Sequence, residues 1–287
     1  MQYGIVFVNT GRFSKPDRAV LLAQHAEENG FDSLWAADHV VIPATYGSPY
    51  PYSSDGQMPW PNRVRLPDPL VWLAYVAART TTVKLATGIL ILPQRNPVVL
   101  AKQAATLDVL SGGRLMLGVG TGWLEEESEA VGIPFAERGA RLEEHIEVMR
   151  TLWRNEQASF HGRFTNFDDV ILSPRPVNVE GIPIVIGGHS MRAARRAGTI
   201  GDGFYPAKIT LEELTPLLAT MRRAAEEAGR DPDAIEVSAG GVLDPDGVRQ
   251  FRDGGVTRLL VPAIAQNDDG LKATLESFAN QVIAKVD

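Results

Sequence analysis

Three groups of residues in this chain have the types and spacing to do chemistry. Asp38 and His39 adjoin at the end of an apolar run, and a carboxylate beside an imidazole is a pair able to exchange protons near neutrality. Asp38 capping a loop beside a merely hydrogen-bonded His39 is the bland alternative. Their place at the C-terminal end of a predicted strand favours the acid–base reading. The second group, Gly118-Val119-Gly120-Thr121-Gly122-Trp123, resembles a dinucleotide fingerprint only superficially. Trp123 stands where the third glycine belongs, and the segment falls fourth in a series of similar units, so a Rossmann assignment fails. A loop of close approach for a planar ligand and an ordinary tight turn both stay open. In the third group, Gly187-Gly188-His189-Ser190 leads into a helix carrying Arg192, Arg195 and Arg196. Exposed backbone N–H groups, a hydroxyl and a helix N-terminus suit a phosphate, to which Arg192 could add charge. The competing reading is an N-cap at Ser190 with a solvated basic face.

Other chemistries lack their residues. His25, His145 and His161 are dispersed at no metal-ligand spacing, so no metal site is expected. There is no phosphate-loop lysine motif and no Gly-x-Ser-x-Gly elbow. Glu125, Glu126 and Glu127 open a helix, where they suit its dipole and read as a solvated first turn.

The elements that must position these groups alternate. Short β-branched apolar runs fall at Tyr3–Val8, Ser33–Ala37, Lys84–Leu92, Leu115–Gly120, Ile182–Gly187, Asp202–Tyr205, Ile235–Ala239 and Arg258–Val261. Between them lie helical patterns. The first starts at Pro16, carries Ala19, Leu22, Ala23 and Ala26 on one face and ends at Gly30. Others fall at Pro69–Arg79, Pro97–Leu110, Glu137–Trp153, Met191–Gly198, Leu211–Ala228, Asp246–Gly254 and Leu271–Val286. Eight such units over 287 residues predict one domain, residues 1–287, folded as a (β/α)₈ TIM barrel rather than an open doubly wound sheet. Two interruptions stand out. The long loop Val40–Pro67 carries Pro43, Pro49, Pro51, Pro59 and Pro61 among Tyr46, Tyr50, Tyr52, Met58 and Trp60, and is predicted to be a lid with aromatic walls. Ala158–Pro176 reads as a small hairpin insertion with Phe160, Phe164 and Phe167.

Composition narrows the partners. A net charge of -7 with no Lys/Arg run gives no footprint for nucleic acid. No apolar run approaches the ~18 residues of a membrane span, and cysteine is absent, which suits a reducing cytoplasm. A small-molecule substrate is the expected partner.

Asp38-His39, the run Leu85-Ala86-Thr87-Gly88-Ile89-Leu90-Ile91-Leu92-Pro93 with Arg95-Asn96-Pro97, the Gly118–Trp123 loop, and Gly187-Gly188 with Gly201-Asp202-Gly203 together resemble the luciferase-like monooxygenase family over nearly the whole chain. The resemblance is closest to the subgroup using coenzyme F420, an 8-hydroxy-5-deazaflavin. It implies that Thr87, Gly88, Ile89, Asn96, Thr121, Gly122, Gly187, Gly188, His189 and Ser190 hold the cofactor, with the phosphate near Gly187–Ser190 and the ring over the barrel mouth. It implies a non-proline cis peptide at Gly88-Ile89, with Ile89 pressing on the central ring. By the same resemblance His39, beside Asp38, matches an acid–base position. Relatives that oxidise sugar phosphates carry a glutamate directly after the Thr-Gly pair, where this chain has Trp123. The implied activity is therefore hydride transfer between F420 and a small organic substrate in the reductase direction. An FMN-dependent monooxygenase is the alternative and a non-catalytic cofactor-binding barrel a third reading. The F420 tail, anionic beyond its phosphate, would leave along Arg192, Arg195 or Arg196, and the family's habit of pairing barrels implies a homodimer.

Overall fold

A computed structural model describes residues 1–58, 60–207 and 209–286; Pro59, in the predicted lid, lies outside the described residues. Local chemistry sets the first repeat, in which β1 (Gln2–Val6) leads to α1 (Pro16–Glu28). Pro16 stands at the first helical position, where a missing N–H is harmless, and Ala19, Leu22, Ala23 and Ala26 are buried on one face. Gly30 takes a φ of 78°, and the chain reverses so that the Phe31 N–H closes on the Ala26 carbonyl at 3.0 Å.

The same unit recurs. Among the described residues, β2 (Ser33–Ala36), β3 (Lys84–Thr87), β4 (Leu115–Gly120), β5 (Ile184–Gly187), β6 (Gly203–Tyr205), β7 (Glu236–Gly240) and β8 (Arg258–Pro262) follow β1, each parallel to its neighbours. The β8–β1 ladder (Arg258 beside Gln2) and the β3–β4 ladder (Leu85 beside Leu115) close the ring. Outside it lie α2 (Pro69–Ala77), α3 (Pro97–Ser111), α4 (Arg138–Arg154), α5 (Met191–Ile200), α6 (Leu211–Glu227), α7 (Pro245–Asp253) and α8 (Asp268–Phe278). This is the (β/α)₈ TIM barrel expected from the alternation. The insertion is an antiparallel hairpin, Ala158–His161 with Asn166–Val170, in which Phe160 and Phe167 stack. No helix among the described residues is long and apolar enough to cross a membrane.

Three strands depart from the predicted runs by more than one residue, each for a local reason. The first strand stops at Val6 because Phe7 takes a φ of 61°, which no strand accommodates. The third breaks after Thr87, where the Gly88-Ile89 peptide is cis, and resumes at Leu90–Ile91 on the β4 edge. The fifth begins at Ile184 rather than Ile182, since Pro183 has no N–H to give the ladder, although its carbonyl accepts from the Leu117 N–H.

Inside the ring Val6, Trp35, Ala86, Met116, Val185, Tyr205 and Leu260 pack together. Below them Arg258, wholly buried, plugs the N-terminal end. It pairs with Asp32 at 3.2 Å and Glu236 at 2.9 Å, bonds the side chains of Ser238 and Gln2, and lies 5.8 Å from the Trp35 ring. An unpaired guanidinium there would cost several kcal/mol; two carboxylates make it tolerable. The floor is shut, and chemistry is left to the C-terminal mouth.

Glu27 fastens α1 to the entrance of β3 by accepting from the N–H groups of Thr81, Thr82 and Val83. Burial pushes its carboxyl up, but those N–H groups outweigh burial and hold it at about 2, against an ordinary 4.5. Because the folded value lies below the unfolded one, the stabilisation is complete above 4.5 and fades as pH falls toward about 2. Glu27→Gln should lower the melting temperature at neutral pH, with the gap to wild type closing across that acid window. A gap independent of pH would show that the carboxylate's charge is irrelevant.

Candidate active site

The mouth of the barrel is assembled from strand ends. Asp38 and His39 follow β2 with side chains sent opposite ways. Asp38 turns inward and is almost fully buried; its Oδ2 accepts from the Ile91 N–H at 3.0 Å and its Oδ1 from Arg95 at 2.8 Å, while Arg95 also reaches Asp68 at 2.9 Å. Burial pushes the Asp38 carboxyl above its ordinary value, with Arg95 and the Ile91 N–H pulling against it. His39 instead points its Nδ1 at Glu127 Oε2, 2.7 Å away. Glu127 is wholly buried, and its Oε1 accepts from the Val40 and Val41 N–H groups at 2.6 and 3.3 Å. A carboxylate that already accepts twice takes a third donor most simply from a protonated Nδ1. Nε2 is then the nitrogen left to exchange a proton with a neighbouring molecule.

Glu127 contradicts the reading of Glu125–Glu127 as a solvated first turn. The short helix Glu125–Ala130 directly follows the β4 loop, so its first turn faces the mouth. Glu126 Oε1 accepts from the Gly47 and Ser48 N–H groups at 2.6 and 3.2 Å, and Oε2 from the Ser48 hydroxyl at 2.8 Å. The Gly47 N–H, foremost, holds its carboxyl down at about 2, so this fastening persists at any ordinary pH. The clue lay in position: three acids at the C-terminal end of a barrel strand.

A cavity of about 610 Å³ opens beside these groups. Ile89 floors it, Thr121, Gly122 and Trp123 form one wall, Gly187, Gly188, His189 and Ser190 another, and Ser48, Pro49 and Tyr52 of the long loop roof it. Two glycines make room for the floor. A Cβ at Gly187 would stand 2.5 Å from Ile89 Cγ2, and one at Gly120 would stand 2.7 Å from Ile89 Cδ1. Trp123 joins wall to roof, meeting Tyr46, Tyr50 and His39 edge-on at 5.6, 5.2 and 6.0 Å. His39, with 9% of its side chain exposed, sits next to Trp123 and is not itself in the cavity lining. Trp60, expected in the roof, packs against Phe7 instead.

Other expected site residues separate by position. Thr87 is buried between strands with its hydroxyl on the Gly118 carbonyl at 2.7 Å, and Gly88 lies against Trp35. Asn96 stands apart: its oxygen accepts from the Val98 and Val99 N–H groups, so it caps α3 and does not line the cavity. Asp38 likewise belongs to the framework, spent on Ile91 and Arg95. At the other wall the N-cap reading is the one the hydrogen bonds display. Ser190 caps α5 by accepting from Ala193, yet the turn and the helix's first N–H groups border the cavity. Of the three arginines beyond, Arg195 turns to Glu227, Arg192 borders a groove outside the barrel between α4 and α5, and Arg196 borders both that groove and the cavity. Arg138 lines the cavity as well and was not anticipated from sequence. Its Nε is buried without a hydrogen-bond partner, a donor suited to an anionic ligand, and the turn and floor likewise fit a planar ring bearing a phosphate.

A closed parallel barrel with its cavity at the strands' C-terminal ends defines the class. Residues 1–243 match the luciferase-like monooxygenase family, and the chain belongs to it. The F420-dependent glucose-6-phosphate dehydrogenase of Kineococcus radiotolerans is 34% identical over 228 residues, which span 77% of this chain and 62% of that protein. Two solved structures share the fold. The coenzyme F420 dependent tetrahydromethanopterin reductase from Methanopyrus kandleri has a TM-score of 0.79 at 18% identity, covering 100% of this chain and 99% of that one. The oxygenating constituent of 3,6-diketocamphane monooxygenase from Pseudomonas putida, in complex with FMN, has a TM-score of 0.77 at 19% identity, with the same coverage.

The contact of Ile89 with Gly187 gives a direct test. Gly187→Ala should lower the melting temperature by displacing Ile89, and adding Ile89→Ala should return part of the loss. Additive losses in the double variant would mean that the two residues do not bear on each other.

Proposed function

We propose that this protein is an oxidoreductase that binds coenzyme F420 and transfers hydride between it and a small organic substrate, in the reductase direction. The observation that carries the reading is the His39 imidazole, fixed by buried Glu127 beside a cavity floored by Ile89 and ended by the Gly187–Ser190 turn. Family membership supports redox chemistry, and the similarity to an F420-dependent dehydrogenase supports a deazaflavin over a flavin.

When bound, the deazaflavin supplies a two-electron hydride carrier. Ile89 would support the ring, and Gly120 and Gly187 leave space for its side chain. The turn at Gly187–Ser190 and the first N–H groups of α5 would hold the phosphate. His39, its Nδ1–H on Glu127, would supply a proton from Nε2 when the ring carries a proton on both nitrogens, and is left neutral once the substrate is reduced. Tyr52 and the Gly47–Pro49 stretch, fastened by Glu126, limit water at the ring. Trp123 puts an apolar ring where relatives that oxidise sugar phosphates carry an acid, which supports reduction rather than their reaction.

Titration with oxidised F420 and with FMN, followed by turnover of His39→Ala, tests this reading. F420 should bind more tightly, and His39→Ala should lower turnover by ~10²–10⁴ with cofactor affinity changed only a few fold. Tighter binding of FMN would transfer the reading to a flavin monooxygenase, and unchanged turnover would remove His39 from the reaction.

A homodimer belongs to the same proposal. Val71 and Tyr75 on α2 and Val99 and Leu110 on α3 are exposed, an apolar face of the kind that pairs helices between subunits. Light scattering should give twice the chain's 31.2 kDa; the monomer mass at micromolar concentration would refute it.

A further inference from the structure

The cavity ends in a feature that one phosphate does not account for. Past Ser190, two guanidinium groups line the same wall: Arg138 at the start of α4 and Arg196 on α5. Arg138 lies on the Phe135 ring, 3.6 Å from its centroid, and its Nη1 donates to the Phe135 carbonyl at 2.8 Å. Its Nε, buried, has no hydrogen-bond partner. Arg196 is anchored through Nε on Glu143 at 2.6 Å, and its Nη2 lies 2.7 Å from where a Cβ at position 139 would stand. Gly139 thus admits the second cation beside the first.

Like charges gathered in a partly dry wall repel, and an unmet buried donor is costly, so this arrangement calls for an anion. Nearby carboxylates are committed elsewhere, Glu143 to Arg196 and Glu126 to the loop at Gly47 and Ser48, leaving Glu125 to offset Arg138. Burial, foremost, lowers the Arg138 pKa from its ordinary value, with Arg196 and Arg192 adding to the shift. Arg196 also stands six residues, roughly 9 Å of helix axis, beyond Ser190. A phosphate on the first N–H groups of α5 therefore leaves the guanidinium pair for a second anionic group.

We propose that Arg138 and Arg196 form a second anion subsite that takes carboxylates carried on a chain beyond the cofactor phosphate. The proposal rests on the deazaflavin reading, because F420 continues past its phosphate into a lactyl-glutamate tail whereas FMN ends there. It replaces Arg192 and Arg195, which face the outer groove and Glu227, as the residues that meet the tail.

Wild type, Arg138→Met and Arg138→Lys are titrated with three probes: F420 with its glutamate tail, FMN, and the deazaflavin riboside that lacks both phosphate and tail. Arg138→Met should weaken F420 roughly tenfold, the low end for one charge-assisted hydrogen bond, and leave the other two within about twofold. Arg138→Lys should recover part of the F420 affinity, which a mere loss of packing on Phe135 would not allow. Equal weakening of F420 and FMN would overturn the proposal, because Arg138 would then hold the phosphate itself, and unchanged F420 affinity would overturn it outright. If wild type prefers FMN while Arg138→Met still weakens F420 selectively, the subsite stands and the cofactor assignment falls.

Discussion

The Asp38 carboxylate joins three parts of the chain that would otherwise move independently. It follows β2 by two residues, receives the Ile91 N–H where the third strand resumes after its break, and holds Arg95, whose other arm reaches Asp68 at the cap of α2. Removing either partner would strand a charge in a place almost without water, a loss of about 3–5 kcal/mol, so the network tends to stay whole. Two residues at the mouth adjoin this junction in the chain. His39 is the next residue along, and Ile89 lies two residues before Ile91. Asn9 adds a second tie nearby, bonding Ala37 through both its amide atoms and the Pro67 carbonyl where the long loop ends.

With the third strand pinned on either side of Gly88-Ile89, the side chain of Ile89 has one direction left, toward β4 and β5. Neither strand can meet it with a Cβ, which explains glycine at 120 and 187 by steric need rather than by flexibility. Gly118 answers the same crowding one pair lower, where a Cβ would stand 2.0 Å from the Thr87 carbonyl oxygen. The motifs that look like nucleotide loops are thus partly packing devices, and the cavity's flat floor is their by-product.

How far the sequence reveals this depends on whether a residue's role is local. Strand and helix identities were legible because burial imposes periods of two and 3.6 on apolar residues, and the Gly187–Ser190 turn because glycine, hydroxyl and helix start adjoin in the chain. Glu127 was not legible, since its partners His39, Val40 and Val41 lie more than eighty residues away and an acid in a first helical turn already has a sufficient local explanation. Arg138 failed to stand out for the same reason: among the arginines of α4 nothing local marks the one lying on Phe135. Asn96 is the opposite case: its cap on α3 is wholly local, and the cavity lining holds no residue between Ile89 and Gly120.

The charge of the molecule and the charge of its cavity point in opposite directions. A net charge of -7 argues against a polyanionic surface partner, yet one end of the mouth gathers Arg138, Arg196 and the N-terminus of α5. Screening over roughly 8–10 Å makes the distant acids count for little there, so the local sign governs a bound molecule. On the other side of Trp123 stand Glu127 and His39, hydrogen-bonded to each other and to backbone, with Glu126 occupied by the loop. For a ligand with an uncharged ring and an anionic chain, this distribution favours placing the chain at the Arg138–Arg196 end. On the proposed deazaflavin reading, the same polarity would direct the ring toward Ile89, on the side of the cavity where Trp123 meets the His39 ring.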